Sequence, residues 1–340
     1  MKIRISQIKR RYNDLRTPEQ ILIESPEIPA NSLKNIVIER ESLDARRKNQ
    51  PVFIYTFTAE TDDPSMLNLK NVTAVTEKRP QTAIEQLIAL EEQPIIVGAG
   101  PSGLFAALAM VKKGYRPIIV ERGKQVNDRL QDVRDFWHKR IFHPHSNAVF
   151  GEGGAGTFSD GKLTTRSKST FVKDVLQTFI RFGADPKIAY QGKPHLGTDK
   201  IRKIVLNMRR EIESLGGSFQ FNSFLDDLTI IDGNLAAVSI NGSKQNISSL
   251  ILAIGNSASE TFDLLHKQGI AIEQKPYAVG VRVEHPQNFI NRAQFGSKVD
   301  MNYLEAAEYV LTHKCHKTER GVYSFCMCPG GTVVPTPTEP

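Results

Sequence analysis

Three glycines with the spacing Gly-x-Gly-x-x-Gly form the pattern in this chain that indicates a chemical task most directly. Gly98, Gly100 and Gly103 follow the apolar residues 95–97 and precede an apolar helical period that runs to Val111. In such a turn the first glycine permits a tight bend, the second lets a diphosphate approach the backbone, and the third lets the helix pack closely on the strand. The free N–H groups at the start of the helix attract phosphate. The pattern therefore predicts a bound dinucleotide.

An acid lies where a dinucleotide would place a ribose. The apolar residues 118–120 predict a second strand, and Glu121 follows them, eighteen positions after Gly103. A carboxylate at this point can accept hydrogen bonds from both ribose hydroxyls, and it would repel a 2′-phosphate. Strand, glycine turn, helix, second strand and acid thus occur in the order of one β-α-β nucleotide-binding unit.

A second glycine-rich run, residues 151–156, has the same spacing but a different context. The residues that follow it, 157–161, show neither an apolar helical period nor a second strand. We therefore interpret this run as a loop, and only one Rossmann unit is predicted. Its glycines would let the backbone approach a bound ligand closely.

Several of these stretches are similar to known flavoproteins. The run Val-Gly-Ala-Gly-Pro-Ser-Gly-Leu at 97–104, together with Glu121 and Arg122, resembles the FAD-binding half of the glutathione-reductase-type FAD/NAD(P)-binding fold. More narrowly, residues 147–165 and 323–331 resemble a bacterial family of uncharacterised FAD-dependent dehydrogenases. The resemblance covers nearly the whole chain. It implies a bound FAD and hydride transfer at flavin N5, with an undefined substrate.

The resemblance also implies which residues bind FAD. They lie in the glycine turn, at the end of the second strand, in the glycine-rich run and where the chain returns to the sheet: Gly98, Ala99, Gly100, Pro101, Ser102, Gly103, Glu121, Arg122, Gly154, Ala155, Gly156, Thr157, Leu225, Ile254 and Gly255. The usual Ala-Thr-Gly at that return is Ala-Ile-Gly here. His145, Asp160 and Lys162 are expected near the flavin ring, but polar residues in a glycine-rich loop are more often solvated or turn-forming. No catalytic acid or base is therefore assigned.

The elements that must position these residues predict an α/β fold, with a Rossmann-like FAD-binding domain around a parallel sheet. A long helix over residues 198–215 and several short strands between 219 and 254 predict an antiparallel β-meander that returns the chain to that sheet. An NAD domain would continue instead with alternating parallel strands and helices, so the meander favours FAD. An NAD-linked dehydrogenase is the alternative, as is a non-catalytic flavin-binding or interaction protein or fragment.

These elements divide the chain into five consecutive segments. They are an N-terminal α+β module (1–90), the first part of the FAD-binding domain (91–167), a connecting or substrate segment (168–197), the return segment of the FAD-binding domain (198–265) and the start of a substrate domain (266–340). The resembling family continues beyond the proline-rich residues 335–340, so the interleaved substrate domain is expected to be truncated.

Periodicity predicts further elements outside the FAD-binding domain. The predicted helices are 17–23, 42–48 and 83–91, and the predicted strands are 36–38, 52–58, 279–283 and 321–328. None of these elements carries a recognisable chemical motif, so we interpret the N-terminal module as a packing or docking domain.

The chain is basic, with a formal net charge of +7 and a pI near 9.2. Lys/Arg clusters at 9–11 and 46–48 raise nucleic acid as a partner, but they are short and no nucleic-acid-binding module accompanies them. A basic face would equally attract an acidic substrate or a nicotinamide phosphate. The expected partners are a small-molecule substrate and a nicotinamide or other electron donor. The sequence does not indicate an oligomeric state.

Cysteine, histidine and hydropathy patterns argue against other classes. Three cysteines in 340 residues do not predict a disulfide scaffold, and Cys326 with Cys328 lacks the further ligands of a zinc or iron–sulfur site. No cysteine pair occurs between residues 140 and 165, which disfavours dithiol-reductase chemistry. His143 and His145 have no neighbouring ligands at metal spacing. Without an apolar run of about 18 residues or a signal-peptide core, a cytoplasmic location and no membrane partner are expected.

Overall fold

A computed structural model describes residues 1–29, 31–76, 88–159, 161–165, 167–325, 327–331 and 333–338. The chain forms two compact units, each assembled from separated segments. Unit 1 comprises Met1–Pro80, Pro186–Pro194 and Val281–Val333, and unit 2 comprises Gln81–Asp185, His195–Gly280 and Val334–Pro340.

The N-terminal part of unit 1 is an antiparallel sheet covered by short helices. Its elements are β1 (Lys2–Arg11), α1 (Pro18–Ile23), β2 (Lys34–Asp44), β3 (Val52–Glu60), a 3-10 helix (Pro64–Asn68) and β4 (Val72–Ala74). The strand order β2-β3-β1-β4 is that of the split β-α-β arrangement, with a 3-10 helix where the second helix would lie. Ile3, Ile5, Leu22, Phe57 and Met66 are fully buried on the covered face of this sheet.

Two predictions for the N-terminal module have different outcomes. The helix predicted over 42–48 is wrong, because Ser42 pairs with Ile54 and Asp44 with Val52 as β2 continues along β3. This pairing is not visible in the local periodicity that suggested a helix. Of the helix predicted over 83–91, residues 88–91 form no helix, and residues 83–87 lie outside the described residues.

Unit 2 contains the predicted β-α-β unit. In chain order its elements are β5 (Ile95–Val97), α2 (Pro101–Val111), β6 (Ile118–Val120), α3 (Val126–Lys139), a 3-10 helix (Ala155–Phe158), α4 (Phe171–Arg181), α5 (Thr198–Ser214), β7 (Ser218–Gln220), β8 (Leu225–Ile231), β9 (Asn234–Ile240), β10 (Ser243–Asn246), β11 (Leu250–Leu252) and α6 (Ser259–Lys267). Strands β11, β5, β6 and β7 form a parallel sheet in that order. The α/β fold with a parallel sheet is thus confirmed.

The predicted meander and its return to the sheet are also present. Strands β8, β9 and β10 pair antiparallel as consecutive neighbours, and their apolar face packs with β5 and β6 in one core that includes Leu228 and Val238. The chain then enters β11, which pairs in parallel with β5. Beyond β11 the amide of Ala253 donates to the carbonyl of Val97 at 2.8 Å. This bond brings residues 253–255 beside the glycine turn.

The remaining elements belong to unit 1. They are a 3-10 helix (Pro186–Ala189), α7 (Gln287–Phe295), a 3-10 helix (Met301–Tyr303) and a hairpin of β12 (Thr312–Lys314) and β13 (Gly321–Tyr323). Of the strand predicted over 321–328, the structure forms only β13, and Cys326 lies outside the described residues. No helix among the described residues combines the length and apolarity that crossing a membrane requires.

The strand predicted over 279–283 is wrong. The segment belongs to no sheet, and Val279 and Val281 are 83% and 89% exposed. Alternating apolar residues favour an extended backbone, but a strand also needs a neighbour to pair with. Among the described residues no neighbouring strand pairs with this segment.

Candidate functional site

A cleft of about 600 Å³ opens in unit 2 at the carboxyl ends of the parallel strands. Its wall is formed by the glycine turn (residues 98–103), the end of β6, residues 149–156, the start of β8 and residues 252–265. Ligands of open parallel sheets bind at this end of the strands. The cleft is therefore the candidate cofactor site.

The three glycines of the turn meet different surroundings. Gly98 has φ +104°, and a Cβ atom there would lie 2.4 Å from the carbonyl oxygen of Ala253. A Cβ atom on Gly103 would lie 1.9 Å from the carbonyl oxygen of Gly98. By contrast, a Cβ atom on Gly100 would come no nearer than 3.8 Å to its closest neighbour, the Cα atom of Gly154. The fold requires glycine at 98 and 103, whereas at 100 the space that a side chain would take is the cleft.

Helix α2 begins at the cleft without a side-chain cap. Gly100 is its N-cap residue and Pro101 its first residue, and no side chain accepts a hydrogen bond from the first turn. Gly100, Pro101 and Ser102 line the cleft. The unsatisfied N–H groups of a helix start carry a partial positive charge, so the group that this end of the cleft favours is an anion such as a diphosphate.

Glu121 holds two turns together at the edge of the cleft. The side chain is 5% exposed. Its Oε2 accepts a hydrogen bond from the Ala99 amide at 2.8 Å, and its Oε1 accepts one from the Gly123 amide at 2.9 Å. A carboxylate has about four acceptor positions, so both oxygens keep capacity for a ligand hydroxyl while they fix the glycine turn.

Arg122 crosses from one wall of the cleft towards another. Its guanidinium lies 4.6 Å from the centroid of the Phe150 ring, and its Nη2 donates to Glu260 on α6 at 2.7 Å. The side chain is 14% exposed. Arg122 is thus held by an aromatic face and a carboxylate, and its charge is already paired at the mouth of the cleft.

The glycine-rich loop, residues 147–158, packs directly on the two turns. The amide of Gly153 donates to the carbonyl of Ala99 at 2.9 Å. A Cβ atom on Gly123 would lie 2.6 Å from the Cα atom of Gly151. These close backbone contacts explain why glycines are needed on both sides of the contact.

Buried polar side chains fix the shape of this loop. Asn147 Oδ1 accepts from the amides of Val149 and Phe150 at 2.9 and 3.1 Å. Glu152, fully buried, accepts from the Val126 amide at 2.7 Å and from Arg209 Nε at 2.7 Å. Burial is the largest influence on the pKa of Glu152 and raises it above the ordinary value. Glu152 therefore attaches the loop to the first residue of α3 and to Arg209 on α5.

Arg129 is one residue of this site that the sequence analysis missed. It is fully buried, and its guanidinium donates to carbonyl groups of the glycine-rich loop. Burial lowers the pKa of Arg129 to about 10. A signal was present in the sequence, because Arg129 lies at helical spacing between the apolar Val126 and Val133, which are both buried.

The structure brings most of the predicted cofactor-binding residues together. Those that line the cleft are Gly98, Gly100, Pro101, Ser102, Glu121, Arg122, Gly154, Ala155, Gly156, Leu225, Ile254 and Gly255. Ala99, Gly103 and Thr157 are buried behind the wall instead. Thr157 Oγ1 donates to the Glu152 carbonyl at 3.2 Å. Sequence reasoning missed the aromatic lining by Phe150, Phe224 and Phe262, which no local pattern marks.

The polar residues expected near a flavin ring are dispersed. His145 stacks on Phe224, with ring centroids 5.4 Å apart. Lys162 bridges to the backbone of His195, and Asp160 lies outside the described residues. Among the described residues no group of His, Cys, Asp and Glu side chains could hold a metal ion, and Cys315 and Cys328 form no disulfide.

Comparisons with known proteins give a family match for one segment and a relative that matches along the whole chain. Residues 276–340 match the model of the family "FAD-dependent protein, C-terminal domain-like". A protein of Clostridium beijerinckii described as "Uncharacterized protein" is 38% identical over 344 residues, which cover 100% of this chain and 64% of that protein. The chain thus spans less than two thirds of the length of this relative.

Two solved structures are similar in part. Thermovibrio ammonificans THI4 is 20% identical, with a TM-score of 0.36 over 53% of this chain and 63% of that chain. Glycine oxidase from Geobacillus kaustophilus is 13% identical, with a TM-score of 0.34 over 52% and 58%. Scores this low do not transfer an activity. The cofactor that the family match indicates is FAD.

Proposed function

We propose that this chain binds FAD in the cleft of unit 2 and is part of an oxidoreductase of the dehydrogenase type. The observation that carries the proposal is the uncapped start of α2. Gly100 has no side chain to cover this helix end, and a Cβ atom there would come no nearer than 3.8 Å to its closest neighbour, the Cα atom of Gly154. The carboxylate of Glu121 lies at the end of the neighbouring strand. The family match of residues 276–340 supports FAD as the dinucleotide.

The residues present fit an adenine dinucleotide. The N–H groups at the start of α2 would bind the diphosphate. Glu121 would accept hydrogen bonds from ribose hydroxyls with the acceptor capacity that Ala99 and Gly123 leave free. The apolar wall at Phe224, Leu225 and Leu265 suits a flat base.

When FAD is bound, its ring supplies hydride chemistry at N5, while a protein chiefly orients the substrate and tunes the ring. In this chain the side chains around the cleft would bind and position the cofactor. Its charged residues already have partners, because Glu121 accepts from backbone amides and Arg122 donates to Glu260. The substrate that we propose is a small organic molecule, and the electron donor is a nicotinamide or another reductant.

Binding of FAD can be tested with a substitution that preserves the fold. Gly100→Asp places a carboxylate at the N-cap of α2, where it can accept from the free N–H groups of the first turn, and it adds a negative charge where the diphosphate would lie. We expect the melting temperature of the ligand-free protein to stay the same or rise slightly. The dissociation constant for FAD, measured by calorimetric titration, should rise about 100-fold or more.

Gly280→Asp is the matched control, because it adds the same charge at an exposed position with no atom within 4 Å. It should bind FAD like the unsubstituted chain. Unchanged FAD affinity in Gly100→Asp would contradict the site. Tighter binding of NAD than of FAD by the unsubstituted chain would favour an NAD-linked dehydrogenase instead.

The redox role has a separate test. Anaerobic addition of NADH, NADPH, ferredoxin or candidate substrates to the FAD-loaded protein should bleach the visible absorption of the oxidised flavin with at least one reductant. Retained FAD that none of these reduces would favour a non-catalytic flavin-binding protein.

A further inference from the structure

Arg129 donates its hydrogen bonds to one short stretch of backbone, residues 147–154. Nε donates to the Asn147 carbonyl at 2.7 Å. Nη1 donates to the carbonyls of Glu152 and Gly154, both at 2.8 Å, and more weakly to that of Gly151 at 3.3 Å. A charged donor makes such bonds roughly twice as strong as neutral ones. The guanidinium is therefore the centre around which the glycine-rich loop is folded.

The side chain and the loop are in close contact, so neither can shift alone. A Cβ atom on Gly151 would lie 2.4 Å from Cδ of Arg129, and the guanidinium lies 4.9 Å from the centroid of the Phe158 ring. The charges of Glu121 and Glu152 stabilise the cation through space, and the lowered pKa of about 10 leaves Arg129 charged at neutral pH.

The direction of the Gly154 carbonyl fixes the direction of the next amide. In a planar trans peptide the C=O and N–H bonds point to opposite sides. Because the Gly154 carbonyl points at Arg129, the N–H of Ala155 points away from it. Ala155 lines the cleft and begins the 3-10 helix. The neighbouring amide of Gly153 is already used by the Ala99 carbonyl.

Without a hydrogen bond to hold its carbonyl, the Gly154–Ala155 peptide could flip easily, because residue 154 is a glycine. It has φ +63° and ψ −163°, a conformation open to glycine but rarely to other residues. A flip of the Gly154–Ala155 peptide would present a carbonyl oxygen where Ala155 now presents a donor. An anion in the cleft would then be repelled.

We propose that Arg129 is a positioning residue of the cofactor site, which holds the Gly154–Ala155 peptide with its N–H available to the diphosphate. The inference rests on the proposed binding of FAD. In this proposal the buried Arg129 guanidinium does not touch the ligand. It acts by orienting the Ala155 N–H, which faces the cleft.

The test compares two probes that differ only in the diphosphate. ADP carries it and adenosine lacks it, and their dissociation constants are measured by titration calorimetry or ligand NMR on the full chain. Arg129→Met should weaken ADP binding about 10- to 100-fold and leave adenosine binding within about twofold. Loss of both affinities in parallel would show a general structural role and overturn the inference.

Arg129→Lys tests whether the planar arrangement of guanidinium donors is needed, or whether a positive charge alone is enough. A lysine keeps the charge, but its compact ammonium cannot span several carbonyls as a planar guanidinium does, so ADP binding should stay weak. Full recovery of ADP affinity in Arg129→Lys would contradict the proposal. Arg134→Met is the control, because Arg134 is exposed on the same helix, and it should bind both probes like the unsubstituted chain.

Ala155→Pro provides a second route if Arg129 variants do not fold. Proline removes the Ala155 N–H, puts a ring carbon on that nitrogen, and is tolerated at the first position of a helix. It should weaken ADP about as much as Arg129→Met does and spare adenosine. Unchanged ADP affinity in Ala155→Pro would overturn the inference while the FAD proposal stands. If the unsubstituted chain binds neither FAD nor ADP, the proposed function fails first.

Discussion

At the residue scale, the glycines of unit 2 fall into positions where the backbone leaves no room for a side chain and positions where it leaves room. At Gly103 a methyl group would collide with the carbonyl oxygen of Gly98, which belongs to the backbone and cannot rotate away. At Gly156 a methyl group would meet no atom within 4 Å. The same chemical change therefore has different costs at two glycines of unit 2.

Replacing Gly103 by alanine should lower the free energy of unfolding by at least about 1–3 kcal/mol, because the helix must move off the strand. Gly156→Ala should change it by less than about 0.5 kcal/mol. Urea denaturation of both ligand-free variants checks this. Equal stability of the two variants would mean that the turn does not pack as described.

A second prediction at this scale concerns pH. Burial raises the pKa of Glu152 in the folded chain, so the folded state binds this proton more tightly than the unfolded state does. The contribution of Glu152 to stability is then largest below the unfolded pKa of about 4.3. It declines as the pH rises from there through the folded pKa.

The measurement is the unfolding free energy of the unsubstituted chain minus that of Glu152→Gln, which cannot titrate at this position. This difference should fall as the pH rises above about 4.3, the pKa of an unfolded glutamate. A difference that rises with pH would show instead that the ion pair with Arg209 outweighs burial.

At the scale of elements, short helices depend on their ends. Helix α1 has six residues, and Leu22, which it buries, is fully inaccessible. Thr17 Oγ1 accepts from the Gln20 amide at 3.2 Å, and Gln20 Oε1 accepts from the Thr17 amide at 2.8 Å. This reciprocal capping box satisfies two amides that the helix itself leaves unpaired.

Thr17→Ala removes one half of the box and should cost about 0.5–2 kcal/mol of stability. Chemical denaturation followed by hydrogen exchange of β1 amides is the appropriate readout, because α1 packs on that sheet. Thr312→Ala, an exposed threonine in β12, should be close to neutral. Equal effects of the two substitutions would show that the cap contributes nothing.

The sequence predicted elements well where their evidence was continuous. Strand β5, helix α2 and strand β6 follow one another within a single stretch, so their periods could be read together. The segments 42–48 and 279–283 were interpreted wrongly, because their structure depends on whether a distant strand pairs with them. The glycine turn of the candidate site was visible for the first reason. Arg129 was missed because its acceptors are backbone carbonyls eighteen or more positions away.

At the scale of the whole molecule, the division into two units is the feature that sequence reading could not supply. Residues 186–194 and 281–333 join the N-terminal sheet in unit 1, although segments of unit 2 separate them from it along the chain. The cleft is formed by residues of unit 2 alone. A ligand of this cleft should therefore stabilise one unit selectively.

Hydrogen exchange with and without FAD should show this selectivity. At a concentration 100 times its dissociation constant, a ligand adds about 2.7 kcal/mol to the state that binds it. Exchange should slow in β5, at residues 149–156 and in β11, and stay unchanged in β1 and β3. Equal protection of β1 and β3 would place the ligand, or its energetic effect, outside the cleft described.

The parallel pairing of β5 with β11 also has a consequence for synthesis. Strand β5 leaves the ribosome long before its partner, since β6, the four helices α2 to α5 and the whole meander are translated in between. At about 5–20 residues per second the wait is on the order of ten seconds. During that interval the nascent chain carries an apolar strand with one open edge, so translation speed and chaperone access become determinants of the yield of native protein.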